Sequence, residues 1–431
     1  MLVLTFAFIA VLLLLYGMGV PVAYAIGLTG VIVMLLPLGP PLNAQVIAQR
    51  MYSGLNSFVL LAIPFFLFAG RIMNVIGMTD DIFDFAEETV EPLPGGLGHV
   101  NIVVSMIFSG MSGAAVADAA GLGTIEYKAM TDRGYPSRFA SGITGSSATI
   151  GPIIPPSIPL IVYGVIAQVS IGALFIAGII PGILMGLSLM GIVTFIAVKN
   201  DWTQTASYNA RKLVQSSIRA IPALMAPVII VGGIMFGIFT ATEAAVVAVV
   251  YAIGLGVFYY RTLNASNLYS VSKRTCIDSA ALLLIIGLAN MYGFLVTISG
   301  LPGFLAGGLI GLSESTLVIL FVLVVVLLIL GTFMETLAII LITVPILAPI
   351  FPELGVDPIH FGIVMMVTLM IGLITPPFGV ILFVLERVTD EDLYGVMRGM
   401  VPFYIPLVLV LVLVIVFPDL SMFLVRYFGF A

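Results

Sequence analysis

Long apolar segments recur along most of the chain, separated by short polar connections. Examples are Met1–Tyr16, Ile171–Val198, Ala280–Ser299 and Val401–Phe417. Runs of roughly 17–25 apolar residues are typical of helices that cross a membrane. The pattern therefore predicts an all-α polytopic membrane protein.

Two proline-rich stretches interrupt this pattern at matched positions. Thr149–Leu160 reads TIGPIIPPSIPL and contains a G-x-x-x-P-P motif that begins at Gly151; the same motif begins 221 residues later at Gly372. A glycine in a small-residue stretch lies 41 residues before each motif, Gly110 in the first half and Gly331 in the second. Proline removes a helical hydrogen bond, so we predict an internal repeat with two discontinuous helices, each facing a hairpin tip.

The lysines and arginines indicate how the two halves are oriented. Suppose that one helix pair enters and returns on one side of the membrane and that a second pair does so on the other side. Then 13 basic residues lie on one face, and only Arg50 and Arg426 lie on the other. Basic residues mark the cytoplasmic face, so this arrangement places both termini outside and makes the repeat inverted. The pairs predicted as re-entrant hairpins are Leu97–Ser112 with Gly113–Lys128, and Leu317–Leu330 with Phe333–Ile350.

Inverted repeats with broken helices are the sequence signature of secondary transporters. Thr79–Glu91 carries six acids between apolar residues and predicts an amphipathic helix along the cytoplasmic surface, although the acids also fit a merely solvated face. The predicted domains are scaffold helices 1–77 and 219–299, connecting arms 78–95 and 300–312, an interfacial linker 199–218, and transport regions 96–198 and 313–431.

Composition removes several other classes of protein. The chain of 431 residues is 61% hydrophobic and 8% charged, with a formal net charge of -6. Cys276 is its single cysteine, and His99 and His360 are its only histidines, so an internal disulfide is excluded and a zinc or haem site is not expected. A catalytic cluster and a polar pore-lining stripe are also absent from the sequence, so we expect neither an enzyme nor a channel.

The proline motifs release backbone carbonyls inside the apolar region. Pro155 and Pro156 free the carbonyls of Gly151 and Pro152, and the second motif acts in the same way on Gly372. A dehydrated cation satisfies such oxygens, so we predict two or more bound Na⁺ ions; the alternative is two kinks healed by neighbouring hydroxyls or water. The predicted ligands are Ser109, Ser112, Gly151, Ile154 and Pro156 in one site, and Gly331, Gly372, Thr375 and Phe378 in the other.

Half-helices that restart after each break and tip point positive N-termini inward, which favours an anionic substrate group. Acids inside such segments are functional candidates by default. Glu335 also fits a role as partner of a helix N-terminus, and Asp118 also fits pairing with a local hydroxyl or amide. The predicted substrate-binding residues are Asp118, Ser146, Ser147, Ser157, Thr332 and Glu335.

Three segments carry a family resemblance. FSGMSGAAVADAAGLGTIEYKAM (Phe108–Met130), GSSATIGPIIPPSIPLIVYG (Gly145–Gly164) and MIGLITPPFGVILFV (Met370–Val384) resemble the large membrane subunit of tripartite ATP-independent periplasmic (TRAP) transporters. The resemblance implies an elevator-type fold shared with divalent anion/sodium symporters. It also implies Na⁺-driven uptake, with the two Na⁺ sites at the positions given above. Many relatives have aspartate where this chain has Glu335, a difference that bears on any direct role of that side chain.

The resemblance also implies partners and a location. We expect a small TRAP membrane subunit on a separate chain, a periplasmic substrate-binding protein, a small organic anion such as a C4-dicarboxylate or sialic acid, and membrane lipid, but no nucleic acid. The expected location is a bacterial inner membrane with both termini periplasmic. The alternative is an autonomous divalent-anion/Na⁺ symporter that needs no binding protein.

Overall fold

The computed structural model describes residues 2–35, 44–202 and 208–430, and it leaves the side chains of residues 2–6, 9, 44 and 109–112 undescribed. Every regular element in these ranges is a helix. The first half contains α1 (Leu2–Gly17), α2 (Val22–Leu35), α3 (Ala44–Leu55), α4 (Ala62–Val75), α5 (Met78–Val90), α6 (Gly96–Ser112), α7 (Ala115–Ala120), α8 (Leu122–Asp132), α9 (Ser137–Ala148), α10 (Ile158–Ala167) and α11 (Ile171–Lys199).

The second half also consists of helices. It contains α12 (Ala210–Met235), α13 (Ala241–Gly254), α14 (Ala265–Ile298), α15 (Leu301–Leu312), α16 (Thr316–Phe333), α17 (Thr336–Leu347), α18 (Phe351–Leu354), α19 (Pro358–Leu373), α20 (Val380–Val388), α21 (Leu393–Val416) and α22 (Asp419–Tyr427). Short 3-10 or π turns extend three of the helices, at Phe58–Leu61, Leu255–Tyr259 and Ala348–Ile350.

Eight helical segments in the described ranges are long and apolar enough to cross a membrane, which confirms the polytopic all-α class. Two of them are the arms of the second predicted hairpin, so length alone does not distinguish a re-entrant arm from a full span. The eight segments are Phe58–Val75, Ile171–Lys199, Ala210–Met235, Ala241–Tyr259, Ala265–Ile298, Thr316–Phe333, Thr336–Leu354 and Leu393–Val416.

Both predicted breaks are present. Helix α9 ends at Ala148 and α10 begins at Ile158, while α19 ends at Leu373 and α20 begins at Val380. The chain between each pair contains the diproline, which cannot supply the N–H groups that would continue the helix. The hairpin tips also fall where the small residues predict them, between α6 and α7 and between α16 and α17.

The two halves pack in matching ways around these breaks. In the first half α6 packs against α9, and in the second half α16 packs against α19. Each half-helix that follows a break then packs on the opposite hairpin, α10 on α17 and α20 on α7. Hairpins and broken helices of the two halves therefore interlock into one unit.

The two predicted arms are helices that begin after matched glycines. Helix α5 follows Gly77 and α15 follows Gly300, with φ angles of 88° and 75°. A left-handed residue at this position turns the chain sharply between two helices, and glycine adopts that conformation without steric cost. The end of α4 and the end of α14 are thus both marked by the same backbone device.

The acidic residues on α5 face partners rather than only solvent. They contact the turn after α8, the start of α12 and the end of the π turn after α13. Burial raises the pKa of Glu91 above its ordinary value, and the guanidinium of Arg133 opposes that shift. The pairs are Arg133 with Glu87 and Glu91, Lys212 with Glu88, and Tyr260 with Asp81.

The predicted interfacial linker over 199–218 has a different form. Residues 203–207 lie outside the described residues, and α12 begins at Ala210 and runs without interruption to Met235. Asn209 caps it, its side chain accepting hydrogen bonds from the N–H groups of Arg211 and Lys212. The charged residues up to Arg219 are therefore the first turns of a long helix and not a separate interfacial helix.

Helices α9 and α21 cross at two glycines. A methyl group on Gly142 would overlap the carbonyl oxygen of Gly399, and one on Gly399 would overlap the carbonyl oxygen of Arg138. The backbones of the two helices are thus in direct contact. Overpacking at such a contact typically costs about 1–3 kcal/mol.

We expect Gly142→Ala to lower the midpoint of thermal unfolding in detergent, because the added methyl forces α9 and α21 apart. Gly191→Ala is the matched control, since a methyl group at Gly191 of α11 meets no atom within 4 Å. Equal midpoints for the two variants would contradict the close crossing.

Candidate functional site

The first break satisfies one of its two released carbonyls with a side chain. Ser157 Oγ donates to the carbonyl of Pro152 and accepts from the N–H of Leu160 at 3.3 Å. Ser157 therefore caps α10 and occupies one of the two acceptor positions of the Pro152 carbonyl. Among the described residues no backbone N–H donates to the carbonyl of Gly151. The Gly151 oxygen is thus the less occupied of the two released carbonyls.

The second break uses its hydrogen bonds differently. The N–H of Thr375 donates to the carbonyl of Gly372 at 2.9 Å, and Thr375 Oγ1 donates to the carbonyl of Ile371 at 2.6 Å. The hydroxyl of Tyr404, from α21, donates to the carbonyl of Ile374. A carbonyl oxygen has two lone pairs, so Gly372 keeps one acceptor position after its bond to Thr375.

Each hairpin tip touches its own break through backbone atoms. A methyl group on Gly372 would lie only 2.7 Å from Gly331 Cα. Close by, the N–H of Gly379 donates to the carbonyl of Thr332 at 2.9 Å. At the first tip, a methyl group on Gly113 would lie 3.0 Å from the carbonyl oxygen of Pro156. Backbone atoms of tip and break are therefore close together in both halves.

The structure brings three residues of one predicted ion-ligand set together. Gly331 contacts Gly372 directly, and the N–H of Thr375 donates to the carbonyl of Gly372. In the other set Pro156 lies beside the tip, whereas the side chains of Ser109 and Ser112 lie outside the described residues.

Two predicted ligands would act through their carbonyls only. The ring of Phe378 is 52% exposed and lies 5.3 Å from the ring of Phe333. The side chain of Ile154 packs where Gly182 of α11 leaves space. Neither side chain carries an oxygen, so any coordination at these positions would use the backbone.

One cavity of about 140 Å³ lies between the two tips and the two broken helices. The first residues of three helices open onto it, Ala115 of α7, Ile158 of α10 and Thr336 of α17. Positive ends of helix dipoles thus converge on a space that is otherwise mostly apolar. Its lining residues are Leu67, Gly113, Ala114, Ala115, Val116, Pro152, Ile158, Pro159, Leu282, Glu335, Thr336, Leu337, Met370 and Leu373.

Of the predicted substrate-binding residues, only Glu335 lines this cavity. It caps α17, with Oε2 accepting from the N–H of Leu337 at 3.0 Å. The next residue, Thr336, is buried, and its hydroxyl has no hydrogen-bond partner among the described residues. Thr336 is absent from the predicted substrate set, although its place directly after the tip was visible in the sequence.

The predicted hydroxyls elsewhere are buried and donate within the protein. Ser146 donates to the carbonyl of Gly142 at 2.8 Å, and Thr332 donates to the carbonyl of Ile329 at 2.8 Å. Ser147 donates to Asn101 Oδ1 at 2.5 Å, in a network that also includes Thr144. Neither these three residues nor the capping Ser157 line the cavity, and all four hydroxyls donate to groups of the protein.

The first hairpin holds two buried acids, of which sequence reasoning named only one. Asp118 of α7 is 3% exposed, and Glu126 of α8 is 2% exposed. Glu126 lies within Gly113–Lys128, the predicted returning arm of the hairpin. Neither residue lines the cavity between the tips.

Within the described residues, no three His, Cys, Asp or Glu side chains are grouped closely enough to hold a metal ion. A cation at this site would therefore depend on carbonyl and hydroxyl oxygens, which suit hard ions that exchange readily.

Comparison with known proteins gives a consistent result. Residues 9–420 match the family described as "Tripartite ATP-independent periplasmic transporter, DctM component". The chain is 42% identical to the sialic acid TRAP transporter large permease protein SiaM of Vibrio cholerae, over 95% of this chain and 96% of that protein. It is 37% identical to the C4-dicarboxylate TRAP transporter large permease protein DctM of Pseudomonas aeruginosa, over 94% and 95% of the two chains.

Longer relatives and one solved structure extend the comparison. The chain is 38% identical to the sialic acid TRAP transporter permease protein SiaT of Haemophilus influenzae, of which it covers 66%. The YdaH transporter of Alcanivorax borkumensis superposes with a TM-score of 0.64 at 14% identity, over 99% of this chain and 98% of that one, which shows a shared fold. With its matched breaks and tips and a family match over nearly its whole length, the chain belongs to the DctM component family of tripartite ATP-independent periplasmic transporters.

Proposed function

We propose that this chain is the substrate-translocating subunit of a TRAP transporter that takes up a small organic anion together with Na⁺. The observation that carries the proposal is the cavity where two hairpin tips, two broken helices and three helix N-termini meet. The relatives named above are described as permeases for sialic acid or C4-dicarboxylates, and these compounds share a carboxylate group.

The cavity supplies two kinds of attraction for a carboxylate. Helix N-termini carry a partial positive charge, although one N–H of α10 already donates to Ser157 and one of α17 to Glu335. Within the described part of the chain the buried hydroxyl of Thr336 has no partner, and a substrate oxyanion would accept its hydrogen bond. Apolar residues on the remaining walls exclude water and strengthen both interactions.

Sodium would bind between each tip and its break. The carbonyls of Gly151 and Gly372 keep acceptor capacity, and the tip backbones at Gly113 and Gly331 lie against the two breaks. Each Na⁺ that enters through the full potential contributes about 2.3 kcal/mol per 100 mV, so two or more ions drive a useful uphill gradient.

The interlocked hairpins and broken helices would move as one unit against the scaffold. Helix α17 of the hairpin packs on α14 of the scaffold. A methyl group on Gly293 of α14 would meet, among the described residues, only the ring of Pro345. Arms α5 and α15 would connect the two parts, which is the arrangement that an elevator movement requires. In this proposal the hairpins are re-entrant and enter from opposite sides.

The working assembly would include a small membrane subunit and a periplasmic binding protein, in an inner membrane with both termini periplasmic. Uptake into proteoliposomes by the reconstituted complex tests the function as a whole. Uptake that needs the binding protein supports the TRAP assignment, whereas uptake without it identifies the autonomous symporter.

We expect Thr375→Ala to raise the Na⁺ concentration that gives half-maximal uptake, because the substitution removes a hydroxyl oxygen next to the second break. Thr368→Ala is the matched control, since Thr368 lies two turns earlier in α19 and donates the same type of bond to Val364. An unchanged Na⁺ dependence in Thr375→Ala means that this site is misplaced, and uptake insensitive to Na⁺ rejects the coupling itself.

We expect Thr336→Ala to raise the KM of uptake roughly tenfold, because a hydrogen bond to a charged group contributes about 1.5–3 kcal/mol. Thr336→Ser should restore the wild-type value. Thr343→Ala serves as the control, because the Thr343 hydroxyl donates to the carbonyl of Ile339 in the same helix. Equal KM values in all three variants would remove Thr336 from the substrate site.

The inverted hairpins predict the accessibility of single cysteines in a Cys276→Ser background. Asp132→Cys, at the base of the first hairpin, should react with an impermeant maleimide only after cells are permeabilised. Glu314→Cys, at the base of the second hairpin, should react in intact spheroplasts. Reaction of both cysteines from the same side would show that the proposed topology is wrong.

A further inference from the structure

A second cleft, of about 410 Å³, lies at the ends of α10 and α17 that are remote from the breaks. One wall comes from α3 and α14, and the other comes from α10 and the turn after α17. Its lining includes polar side chains from three places in the chain but no carboxylate. The side chains that matter here are Arg50, Ser53, Gln168, Asn290, Phe294 and Thr297.

Arg50 provides the positive charge of this cleft. Its guanidinium carbon lies 3.8 Å from the centre of the Phe294 ring, so the planar group stacks on the aromatic face. The ion pairs formed among the described residues do not include Arg50. A stacked guanidinium without a carboxylate keeps its forked N–H donors for an outside oxyanion.

Neighbouring residues hold the polar groups in place. Gly54 of α3 leaves room for Asn290 of α14, because a methyl group at Gly54 would overlap the Asn290 side chain. Asn290 and Gln168 bring amide donors to the cleft, whereas the hydroxyls of Ser53 and Thr297 donate to the carbonyls of Arg50 and Gly293.

The cleft and the cavity between the tips lie along the same two helices. Helix α14 contributes Leu282 to the tip cavity and Gly293 to the cleft, while α17 contributes Leu337 and Pro345. At 1.5 Å per residue these positions are roughly 12–16 Å apart along the helix axes. Gly293 and Pro345 form the floor of the cleft, where a methyl on Gly293 would lie 2.8 Å from Pro345.

We propose that Arg50 and these polar groups form an anion-binding vestibule that captures the carboxylate of the transported compound before it reaches the tip cavity. The inference rests on the proposed uptake function. Arg50 is one of the two basic residues that the charge pattern assigns to the outer face, so its field acts on the side from which substrate arrives. An anionic lipid headgroup shares the oxyanion chemistry, and the experiment separates the two sources.

The test uses Thr297→Cys in a Cys276→Ser background, in nanodiscs of phosphatidylcholine. The thiol is modified with two methanethiosulfonate reagents of opposite charge, the sulfonatoethyl and the trimethylammonioethyl compounds. We expect Arg50→Gln to lower the ratio of the anionic rate to the cationic rate about tenfold, the effect of one nearby charge in a wet cleft. Arg426→Gln is the matched control, because Arg426 pairs with Asp419 outside the cleft and should leave the ratio unchanged.

Succinate and N-acetylneuraminate are then added as competitors. Protection of the thiol by either acid, lost in Arg50→Gln, supports the vestibule. Protection only by phosphatidylglycerol in the disc, with no effect of either acid, assigns the cleft to lipid and overturns the proposal. A reagent ratio that does not respond to Arg50→Gln also overturns it.

Uptake by the reconstituted complex gives the second readout. Arg50→Gln should raise KM roughly tenfold with little change in kcat, since the residue acts before translocation, and Arg50→Lys should recover part of the loss. A fall in kcat with unchanged KM contradicts a capture role. If no complex takes up an acid, the proposed function is rejected. The reagent ratio at the Thr297→Cys thiol, and the protection of that thiol by the acids, still test whether the vestibule binds anions.

Discussion

In an apolar environment every backbone carbonyl needs a hydrogen-bond or ion partner, and this requirement shapes the structure. A backbone carbonyl without a partner in hydrocarbon costs several kcal/mol, so a helix break at membrane depth persists only where other groups surround it. Here each break is covered by a hairpin tip, by a helix of its own half and by the half-helix it starts. The interlocked packing of α6, α9, α16 and α19 with the half-helices is the structural response to four prolines.

The two breaks meet this requirement with different chemistry. In the first, a serine hydroxyl turns back to the carbonyl of Pro152; in the second, Tyr404 reaches the carbonyl of Ile374 from α21. At the start of the motifs, the Gly151 carbonyl accepts from no backbone N–H of the described residues, and the Gly372 carbonyl accepts one from Thr375. Matched backbone geometry with unmatched side chains means that the two halves offer similar but not identical environments.

Backbone features were predictable from the sequence, because proline and glycine act through backbone geometry at their own positions. The breaks, the tips and the helical arms follow from those residues, and hydropathy gave the class. Side-chain directions were not predictable, since α10 and α17 are apolar on every side and carry no periodic signal for the face that lines a cavity. For this reason Thr336 was not among the predicted substrate residues. Ser146 and Ser147 lie on α9, which is buried on every side from Phe139 to Ala148, and they donate inside the protein.

The contact between Gly331 and Gly372 has an evolutionary consequence. Each residue contributes only a hydrogen atom in place of a side chain, and the two backbones already touch. A larger residue at one position cannot be compensated by a smaller one at the other, because no amino acid is smaller than glycine. Any suppressor must instead act at a distance, by letting the whole of α16 shift against α19, and such a shift would change the second tip as well.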